Sequence, residues 1–455
     1  MNILILGAGQ VGSNVAYQLA REEANQVTIV DIDPGALREL QDRLDVRTVV
    51  GHVAYPDVLE RAGAKKADMV IALTSSDELN MVVCQIAYTL FNTPTKIARV
   101  RAPEYINAPN LFQQENMPVD VCISPEQLVT EHIEQLIRYP GAFQVLEFAD
   151  GKVRLVGVRA HDGGLLVGQK IRALTDHLPN VEARVAAIYR NGYPVEPDGD
   201  TLIQENDEVF FIAGRKDIRV VMSEIRKLEE PVRRVVIAGG GNIGYRLART
   251  LEETNQVKII ERNRDRAREL SERLGSSIVL YGDAADEALM LEENVDGADI
   301  FIAVTDAEEA NILASMLAKR LGCKKVMALI NRPSYAELVE SGNIDIAISP
   351  RQVTIGTLLA HVRQGDVVKV HALRRGRAEA IETIAHGEPG KSRVVGRSIE
   401  DIKLPPGTSI SAIVRGDDVM QAHHDTVVEE NDHLILFMTD RRHVEDIERL
   451  FKSGA

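Results

Sequence analysis

Short apolar runs alternate with helix-spaced segments along the first hundred residues. Residues 2–6 form an apolar run that ends in glycines, which is typical of a buried parallel strand. Residues 11–23 then place Val11, Val15 and Leu19 on one face of a helix. This alternation predicts the α/β class, with a doubly wound parallel sheet. The further predicted elements are strands 27–31, 46–50, 69–73 and 97–101 and helices 35–44, 57–62 and 78–91.

The same pattern occurs a second time in the chain. "ILILGAGQVGSNVAYQLA" (3–20) matches "VVIAGGGNIGYRLARTLE" (235–252), and "KADMVIALTSSDELNM" (66–81) matches "GADIFIAVTDAEEANI" (297–312). The spacing from Gly7 to Gly239 is nearly the same as the spacing from Thr74 to Thr305. Several matches in one order at nearly one offset indicate an internal duplication.

Each copy is followed by a smaller repeated segment. "AAIYRNG" (186–192) matches "SAIVRGD" (411–417), and "DTLIQENDEVFFIAG" (200–214) matches "DTVVEENDHLILFMT" (425–439). These segments are β-rich, with turn signals such as Asn191-Gly192, and they predict small α+β lobes closed by helices 215–228 and 440–451. Residues 226–234 read as the linker between the halves. The predicted domains are 1–122, 140–228, 232–350 and 366–453.

Composition excludes some classes of function. The 455 residues carry a formal net charge of −15, which argues against a general binder of nucleic acid or anionic membranes. The three cysteines are far apart and lack C-x-x-C spacing, so disulfides and zinc are not expected. Neither a signal peptide nor an apolar stretch of roughly 20 residues is evident, so a spanning segment would belong to another subunit.

The first strand leads into Gly7-x-Gly9-x-x-Gly12. Gly7 permits a tight turn, Gly9 lets backbone N–H groups approach a diphosphate, and Gly12 lets the helix pack close to the strand. The helix N-terminus adds a partial positive charge. Asp31 closes the second predicted strand, where a carboxylate can accept hydrogen bonds from ribose hydroxyls. An acid disfavours a 2′-phosphate, so NAD(H) or an adenine nucleotide is preferred to NADP.

The second half repeats these features. Gly239-x-Gly241-x-x-Gly244 again lies between a strand and a helix, and Glu261 follows it at nearly the spacing that separates Asp31 from Gly7. The alternative is that the glycines serve packing alone. That alternative carries more weight for the second copy, because duplicated sites often degenerate.

Polar residues follow other strands at the same predicted sheet edge. The fourth strands end in Thr74-Ser75-Ser76-Asp77 and Thr305-Asp306-Ala307-Glu308, where hydroxyls either face the ligand crevice or cap the next helix. The third strands end in Gly51-His52 and Gly282-Asp283, near the expected adenine edge.

The remaining candidate residues carry weaker signals. Strand 97–101 would present Arg99 and Arg101 on alternating faces, so that one meets phosphate or both are solvated. His52 reads as a surface residue more readily than as a ligand group. His423-His424-Asp425 lacks a third ligand cluster, so no metal site is predicted.

These residues together resemble the TrkA family. The series "ILGAGQVG", "VDID", "ADMVIALTSSDELN", "IARVRAPEY" and "ISPEQLV", present twice and each time followed by a small lobe, is similar to the tandem RCK (KTN) modules of that family from Asn2 to Phe451. The resemblance implies a peripheral regulatory subunit of a bacterial Trk potassium uptake system. It implies binding to a TrkH- or TrkG-type channel subunit at the cytoplasmic face of the inner membrane.

The resemblance also implies an assembly, ligands and site residues. Such proteins form tetramers with a ring of eight modules, bind NAD and NADH, and have relatives that bind ATP and ADP. The residues carried over to the first site are Gly7, Ala8, Gly9, Gln10, Val11, Asp31, Thr74, Ser75 and Arg99. Those carried over to the second are Gly239, Gly240, Gly241, Asn242, Ile243, Glu261, Thr305 and Asp306. Many relatives have Asp where His52 stands, and Asn331 replaces Arg101 in the second copy, so the sites are expected to differ.

Two other functions remain open from the sequence. An NAD-dependent oxidoreductase would need an acid–base residue aimed at the nicotinamide, and the small lobes offer no evident constellation of that kind. A soluble nucleotide sensor without a membrane partner would need only the two Rossmann-type lobes. The sequence favours a non-catalytic regulator over both.

Overall fold

The structure is a computed structural model that describes residues 1–22, 25–108, 110–161, 163–340, 342, 344–362, 366–373 and 378–451. The chain divides into two compact units, Met1–Leu128 and Val129–Ala455. Glu23, at the end of the first predicted helix, and residues 452–453, at the end of the last predicted domain, lie outside the described residues.

The first unit contains a six-stranded parallel sheet in the order β3-β2-β1-β4-β5-β6. The apolar run at the N-terminus forms its centre, where Leu4 pairs with Thr28 on one side and Val70 on the other. The strands are β1 (Asn2–Leu6), β2 (Gln26–Asp31), β3 (Arg47–Val50), β4 (Met69–Ala72), β5 (Thr95–Arg99) and β6 (Val121–Ile123). The helices are α1 (Gln10–Leu19), α2 (Pro34–Gln41), α3 (Pro56–Ala62), α4 (Asp77–Phe91) and α5 (Pro103–Ile106). The predicted doubly wound sheet is confirmed.

Two details of this sheet differ from the prediction. Strand β5 ends at Arg99, so Arg101 lies beyond the strand and does not alternate with Arg99 along it. The backbone N–H of Arg101 donates to the Asp77 carboxylate at 2.7 Å instead of pairing with a strand. Strand β6 was not predicted, because three residues are too few to show a periodic pattern.

The second unit begins with a small lobe around an antiparallel sheet of order β10-β9-β11-β8-β7. Asn191 and Gly192 both have positive φ, 51° and 84°, in the tight turn predicted between two strands. The strands are β7 (Ala142–Phe148), β8 (Val153–Arg159), β9 (Ala183–Arg190), β10 (Tyr193–Val195) and β11 (Glu208–Gly214). Helix α6 (Pro125–Arg138) precedes the sheet, and α7 (Ala173–His177) and α8 (Ile218–Ser223) complete the lobe.

Helix α8 is shorter than the predicted segment 215–228. The carbonyls of Glu224 and Ile225 accept hydrogen bonds from the backbone N–H groups of Leu166 and His161, at 2.7 and 3.2 Å. These carbonyls serve a neighbouring loop, and the helix therefore ends at Ser223.

A second parallel sheet of order β14-β13-β12-β15-β16-β17 repeats the first. Its centre pairs Val236 with Lys258 and Phe301. The strands are β12 (Arg234–Ala238), β13 (Gln256–Glu261), β14 (Ile278–Tyr281), β15 (Ile300–Ala303), β16 (Lys325–Leu329) and β17 (Ile346–Ile348). The helices are α9 (Asn242–Leu251), α10 (Arg264–Arg273), α11 (Glu287–Glu292), α12 (Glu308–Leu321) and α13 (Pro333–Glu340).

A second small lobe has the sheet order β18-β19-β22-β20-β21. Its strands are β18 (Val367–Leu373), β19 (Ala378–Ile384), β20 (Thr408–Arg415), β21 (Asp418–Gln421) and β22 (His433–Met438). Helix α14 (Pro350–Val362) precedes them and α15 (Val444–Phe451) ends the described chain. Short 3-10 turns occur at Ala64–Lys66, Ala149–Gly151, Val295–Gly297, Ile399–Asp401 and Arg441–His443.

One hydrophobic cluster contains residues of both small lobes. Phe148 and Phe210 of the first pack in one cluster with Phe437 of the second. The backbone N–H of Ala149 donates to the buried Glu382 carboxylate at 3.0 Å, which ties the lobes together. None of the described helices is both long enough and apolar enough to cross a lipid bilayer.

Candidate nucleotide-binding clefts

The turn between β1 and α1 has room for glycine alone at two positions. Gly7 has φ +106°, and a Cβ there would lie 2.9 Å from the Leu73 carbonyl oxygen. A Cβ on Gly12 would lie 1.9 Å from the carbonyl oxygen of Gly7. Both glycines are therefore required by the tight packing of strand, turn and helix, as the spacing predicted.

Gly9 leaves the start of α1 open. Among the described residues, no side chain caps this helix, and a Cβ on Gly9 would meet no atom within 4 Å. The first N–H groups of a helix lack partners inside the helix and attract anions. In contrast, α4 begins with a cap, because Leu79 N–H donates to Ser76 Oγ at 3.1 Å. The turn thus offers backbone donors at Gln10 and Val11 to a phosphate group.

Asp31 stands beside this turn at the end of β2. One carboxylate oxygen accepts a hydrogen bond from Ala8 N–H at 2.5 Å, and the other accepts from Asp33 N–H at 2.9 Å. These bonds fix the carboxylate, and each oxygen keeps lone-pair capacity for a ribose hydroxyl. The residues present therefore fit the adenosine end of a nucleotide.

A buried asparagine organises the neighbouring strand ends and was missed by the sequence analysis. Asn80 Oδ1 accepts hydrogen bonds from the N–H and the hydroxyl of Thr74, at 2.9 and 2.7 Å. Its amide donates to the carbonyl of Arg99 at 3.0 Å, and the side chain is fully buried. Asn80 thereby joins the ends of β4 and β5. The signal that could have revealed it is the Asn shared by "SSDELN" and "DAEEAN".

The two arginines of the first lobe are held in ion pairs. Arg99 Nη2 contacts Glu126 Oε1 at 3.0 Å, and Arg101 Nε contacts Asp77 Oδ1 at 3.0 Å. The Arg101 guanidinium also donates to the Ser75 carbonyl. Burial alone would raise the pKa of Asp77, but the hydrogen bonds from the Ala102 and Arg101 amides and from the Arg101 side chain outweigh it and lower that pKa. The solvated arginines considered from the sequence are not observed.

The second cleft keeps the same backbone geometry. Gly239 has φ +108°, and a Cβ on Gly244 would lie 1.9 Å from the Gly239 carbonyl oxygen. Glu261 accepts hydrogen bonds from Gly240 N–H and Asn263 N–H, both at 2.7 Å. The described residues place no side-chain cap on the helix that starts after Gly241.

The strand ends of the second cleft are also tied by an asparagine. Asn311 Oδ1 accepts from Thr305 N–H at 2.9 Å and from its hydroxyl at 2.6 Å, and the Asn311 amide donates to the Leu329 carbonyl at 3.1 Å. Ala307 stands at the position of Ser76, and α12 begins without a side-chain cap from any described residue. The residues carried over to the second cleft therefore share one sheet edge.

The adenine-edge positions differ between the copies. His52 Nδ1 accepts a hydrogen bond from Ala54 N–H at 3.3 Å, and its ring stacks on Tyr55 with centroids 4.7 Å apart. Asp283 Oδ1 accepts from Ala285 N–H at 2.8 Å. Both side chains therefore shape their own loops. Within the described ranges, no group of three or more His, Cys, Asp or Glu side chains is arranged to hold a metal ion.

Models of two protein-family domains each match this chain twice. The TrkA-N domain model matches residues 3–125 and 235–350, and the TrkA-C domain model matches residues 155–226 and 389–452. The chain belongs to the TrkA family. It is 59% identical over 454 residues to the Trk system potassium uptake protein TrkA of Halomonas elongata, covering 100% of this chain and 99% of the relative.

Other members of the TrkA family match over the same length. The Trk system potassium uptake protein TrkA of Vibrio alginolyticus is 55% identical over 453 residues, which cover 99% of both chains. That of Haemophilus influenzae is 47% identical over 456 residues, covering 100% of this chain and 99% of the relative. The resemblance predicted from the sequence is confirmed.

Solved structures confirm the tandem fold. The RCK domain structure of GsuK has a TM-score of 0.63 with 19% identity and covers 99% of this chain and 94% of that chain. A structure described as the GsuK channel bound to NAD has a TM-score of 0.62 with 19% identity and covers 99% of this chain and 78% of that chain. At this identity the likeness concerns the fold.

Proposed function

We propose that this chain is a non-catalytic regulatory subunit that binds NAD(H) or adenine nucleotides in two clefts and gates a potassium uptake channel. The observation that carries the proposal is the pair of glycine turns with open helix starts, each beside a fixed carboxylate. The family members named as potassium uptake proteins supply the transport system.

Each cleft would hold a nucleotide in the same way. Backbone N–H groups after Gly9 and Gly241 donate to the diphosphate, and Asp31 and Glu261 accept from the ribose hydroxyls. The part of the ligand beyond the diphosphate would lie at the ends of β4 and β15. It would be bordered there by Thr74 and Ser75 in the first cleft and by Thr305 and Asp306 in the second. The partner is a TrkH- or TrkG-type subunit at the cytoplasmic face of the inner membrane, bound by a homotetramer.

Gating requires that the nucleotide bind one state of the assembly more tightly than another. Moving a two-state equilibrium from 1:99 to 99:1 needs about 5.5 kcal/mol of differential binding free energy. Several clefts in one ring can supply this together, because their preferences add.

Calorimetric titration of the full chain with NADH and with ATP tests the binding step. Asp31→Ala and Glu261→Ala should each remove or weaken one binding event about tenfold or more, because each deletes the ribose acceptor of one cleft. Small-angle scattering of the purified protein with and without saturating nucleotide tests the gating step. An assembly that keeps one shape in all conditions would exclude gating.

A further inference from the structure

The two glycine turns are braced by different side chains. In the first cleft, Ser13 Oγ donates to the Ala8 carbonyl at 2.7 Å. In the second, Tyr245 stands at the position of Ser13, and Arg266 Nε donates to the equivalent Gly240 carbonyl at 2.8 Å. A guanidinium group therefore lies directly against the second turn, where the first turn has a neutral hydroxyl.

Arg266 belongs to a set of three arginines that follow the acid of the second cleft. They stand one, three and five positions after Glu261, where Ile32, Pro34 and Ala36 stand after Asp31. The three residues are Arg262, Arg264 and Arg266. The first cleft thus has only apolar side chains where the second has three guanidinium groups.

The charge of these arginines is only partly compensated. Arg266 contacts Glu269 at 2.7 Å, but Glu269 also pairs with Arg273 at 2.9 Å. Arg262 and Arg264 are exposed, and neither has an ion-pair partner among the residues that the structure describes. The segment that follows Glu261 therefore carries more positive charge than the segment that follows Asp31.

The two candidate arginines of the first cleft lie at the end of β5, on the other side of the central strand β1 from the ribose acid on β2, and both are paired. Arg99 ends β5 and contacts Glu126, and Arg101 follows the strand and contacts Asp77. Leu329 and Asn331 take their places in the second copy. The second copy keeps one arginine on this side, Arg332, which pairs with Glu309 at 3.3 Å. It differs from the first copy by the three additional arginines that follow Glu261.

We propose that the second cleft selects adenine nucleotides that carry a phosphate monoester, and that Arg262, Arg264 and Arg266 provide this selectivity. A monoester phosphate is nearly dianionic at neutral pH and makes stronger charge-assisted hydrogen bonds with guanidinium than the diester-type diphosphate of NADH. ADP and ATP carry such a group at the end of the phosphate chain. NADPH carries it on the ribose, where a nearby arginine would offset the repulsion that the acid alone gives to a 2′-phosphate. This inference rests on the proposed nucleotide binding.

The test is calorimetry of the full chain with NADH, ADP, ATP and NADPH. Asp31→Ala reports the second cleft and Glu261→Ala reports the first, once each variant has been shown to lose one binding event. We expect the ratio of the NADH Kd to the ADP or NADPH Kd to be about tenfold higher in the second cleft. Comparing ADP and ATP with NADPH shows which monoester the cleft accepts.

Substitution of the exposed arginines completes the test. Arg262→Ala with Arg264→Ala should abolish the preference and leave the turn intact, because the brace from Arg266 remains. Arg268→Ala is the matched control, since Arg268 is exposed on α10 and pairs with Glu272 of the same helix at 3.3 Å. Equal Kd ratios in both clefts, or an unchanged ratio in the double variant, would overturn the inference while nucleotide binding stands. If none of the four nucleotides binds to the first or to the second cleft, both proposals are overturned.

Discussion

The first and second Rossmann-type lobes agree in backbone and differ in side chains. A Cβ on Gly12 or on Gly244 would lie the same 1.9 Å from a carbonyl oxygen, and Asn80 and Asn311 make the same bridge between strand ends. The side chain that donates to the turn differs, because Ser13 does so in the first lobe and Arg266 in the second. The comparison shows that positions where only one residue type fits keep that residue in both copies. Charged residues near the turn differ between the copies.

The largest effect is expected where a Cβ has no space. Gly12→Ala and Gly244→Ala should each destabilise their own lobe by about 3 kcal/mol or more, because the helix must move away from the turn. Hydrogen–deuterium exchange of peptides from each lobe measures this in the full chain. Gly9→Ala and Gly241→Ala are the controls, with expected costs of about 1 kcal/mol or less. Unequal losses in the two lobes would show that the two glycine turns are not packed alike.

The buried asparagines should give the next largest effect. Asn80→Ala and Asn311→Ala each leave two donors of a threonine and one strand carbonyl without their buried partner. We expect a loss of about 2–3 kcal/mol in the corresponding lobe. Urea unfolding followed by exchange in each lobe measures it, and nucleotide affinity should fall in the same cleft only. A loss below about 1 kcal/mol would show that water replaces the side chain.

Substitution of the acid at the start of α4 or α12 should cost different unfolding free energies in the two lobes. Asp77 accepts from Arg101 N–H at 2.7 Å and Ala102 N–H at 2.9 Å, whereas Glu308 accepts from Arg332 N–H at 3.3 Å. Asp77→Asn should cost about 1–2 kcal/mol, and Glu308→Gln less than about 1 kcal/mol.

The Asp77 contribution should depend on pH. The folded protein lowers the pKa of Asp77 below its ordinary value of 3.8. Its stabilisation is therefore complete above that value and is lost as the pH falls through the lower folded pKa. The difference between wild type and Asp77→Asn, followed by exchange or urea unfolding at pH 7 and at about pH 3, should shrink at the lower pH. A difference that does not change with pH would contradict this account.

The smallest effects are expected from exposed ion pairs within one helix. Glu39 and Arg43 lie 3.1 Å apart in the first lobe, and Arg268 and Glu272 lie 3.3 Å apart in the second. Arg43→Ala and Arg268→Ala should each change the unfolding free energy by less than about 0.5 kcal/mol, since solvent and salt screen both pairs. Thermal unfolding at low and high salt checks this, and a larger salt-dependent shift in one lobe would reveal a local charge network.

Several parts of the site followed from sequence and others did not. The glycine turns and the acids were predicted because their chemistry needs fixed spacing along one strand–turn–helix segment. The ligand contacts assigned to them stay predictions. Asn80 was missed and Arg101 was misjudged, because the Arg99 carbonyl and the Asp77 carboxylate that they contact lie 19 and 24 residues away in the chain. The Arg266 brace was missed for the same reason, since it reaches back 26 residues.

The sequence by itself determined the duplication, the two parallel sheets, the glycine turns and the membership of the TrkA family. These properties follow from local periodicity and from positions where only one residue type fits. Only the tertiary structure decided which side chain braces each turn, which carboxylate pairs each arginine, and that one hydrophobic cluster contains residues of both small lobes. Such contacts join residues far apart in the chain, and their geometry depends on how whole strands and helices pack.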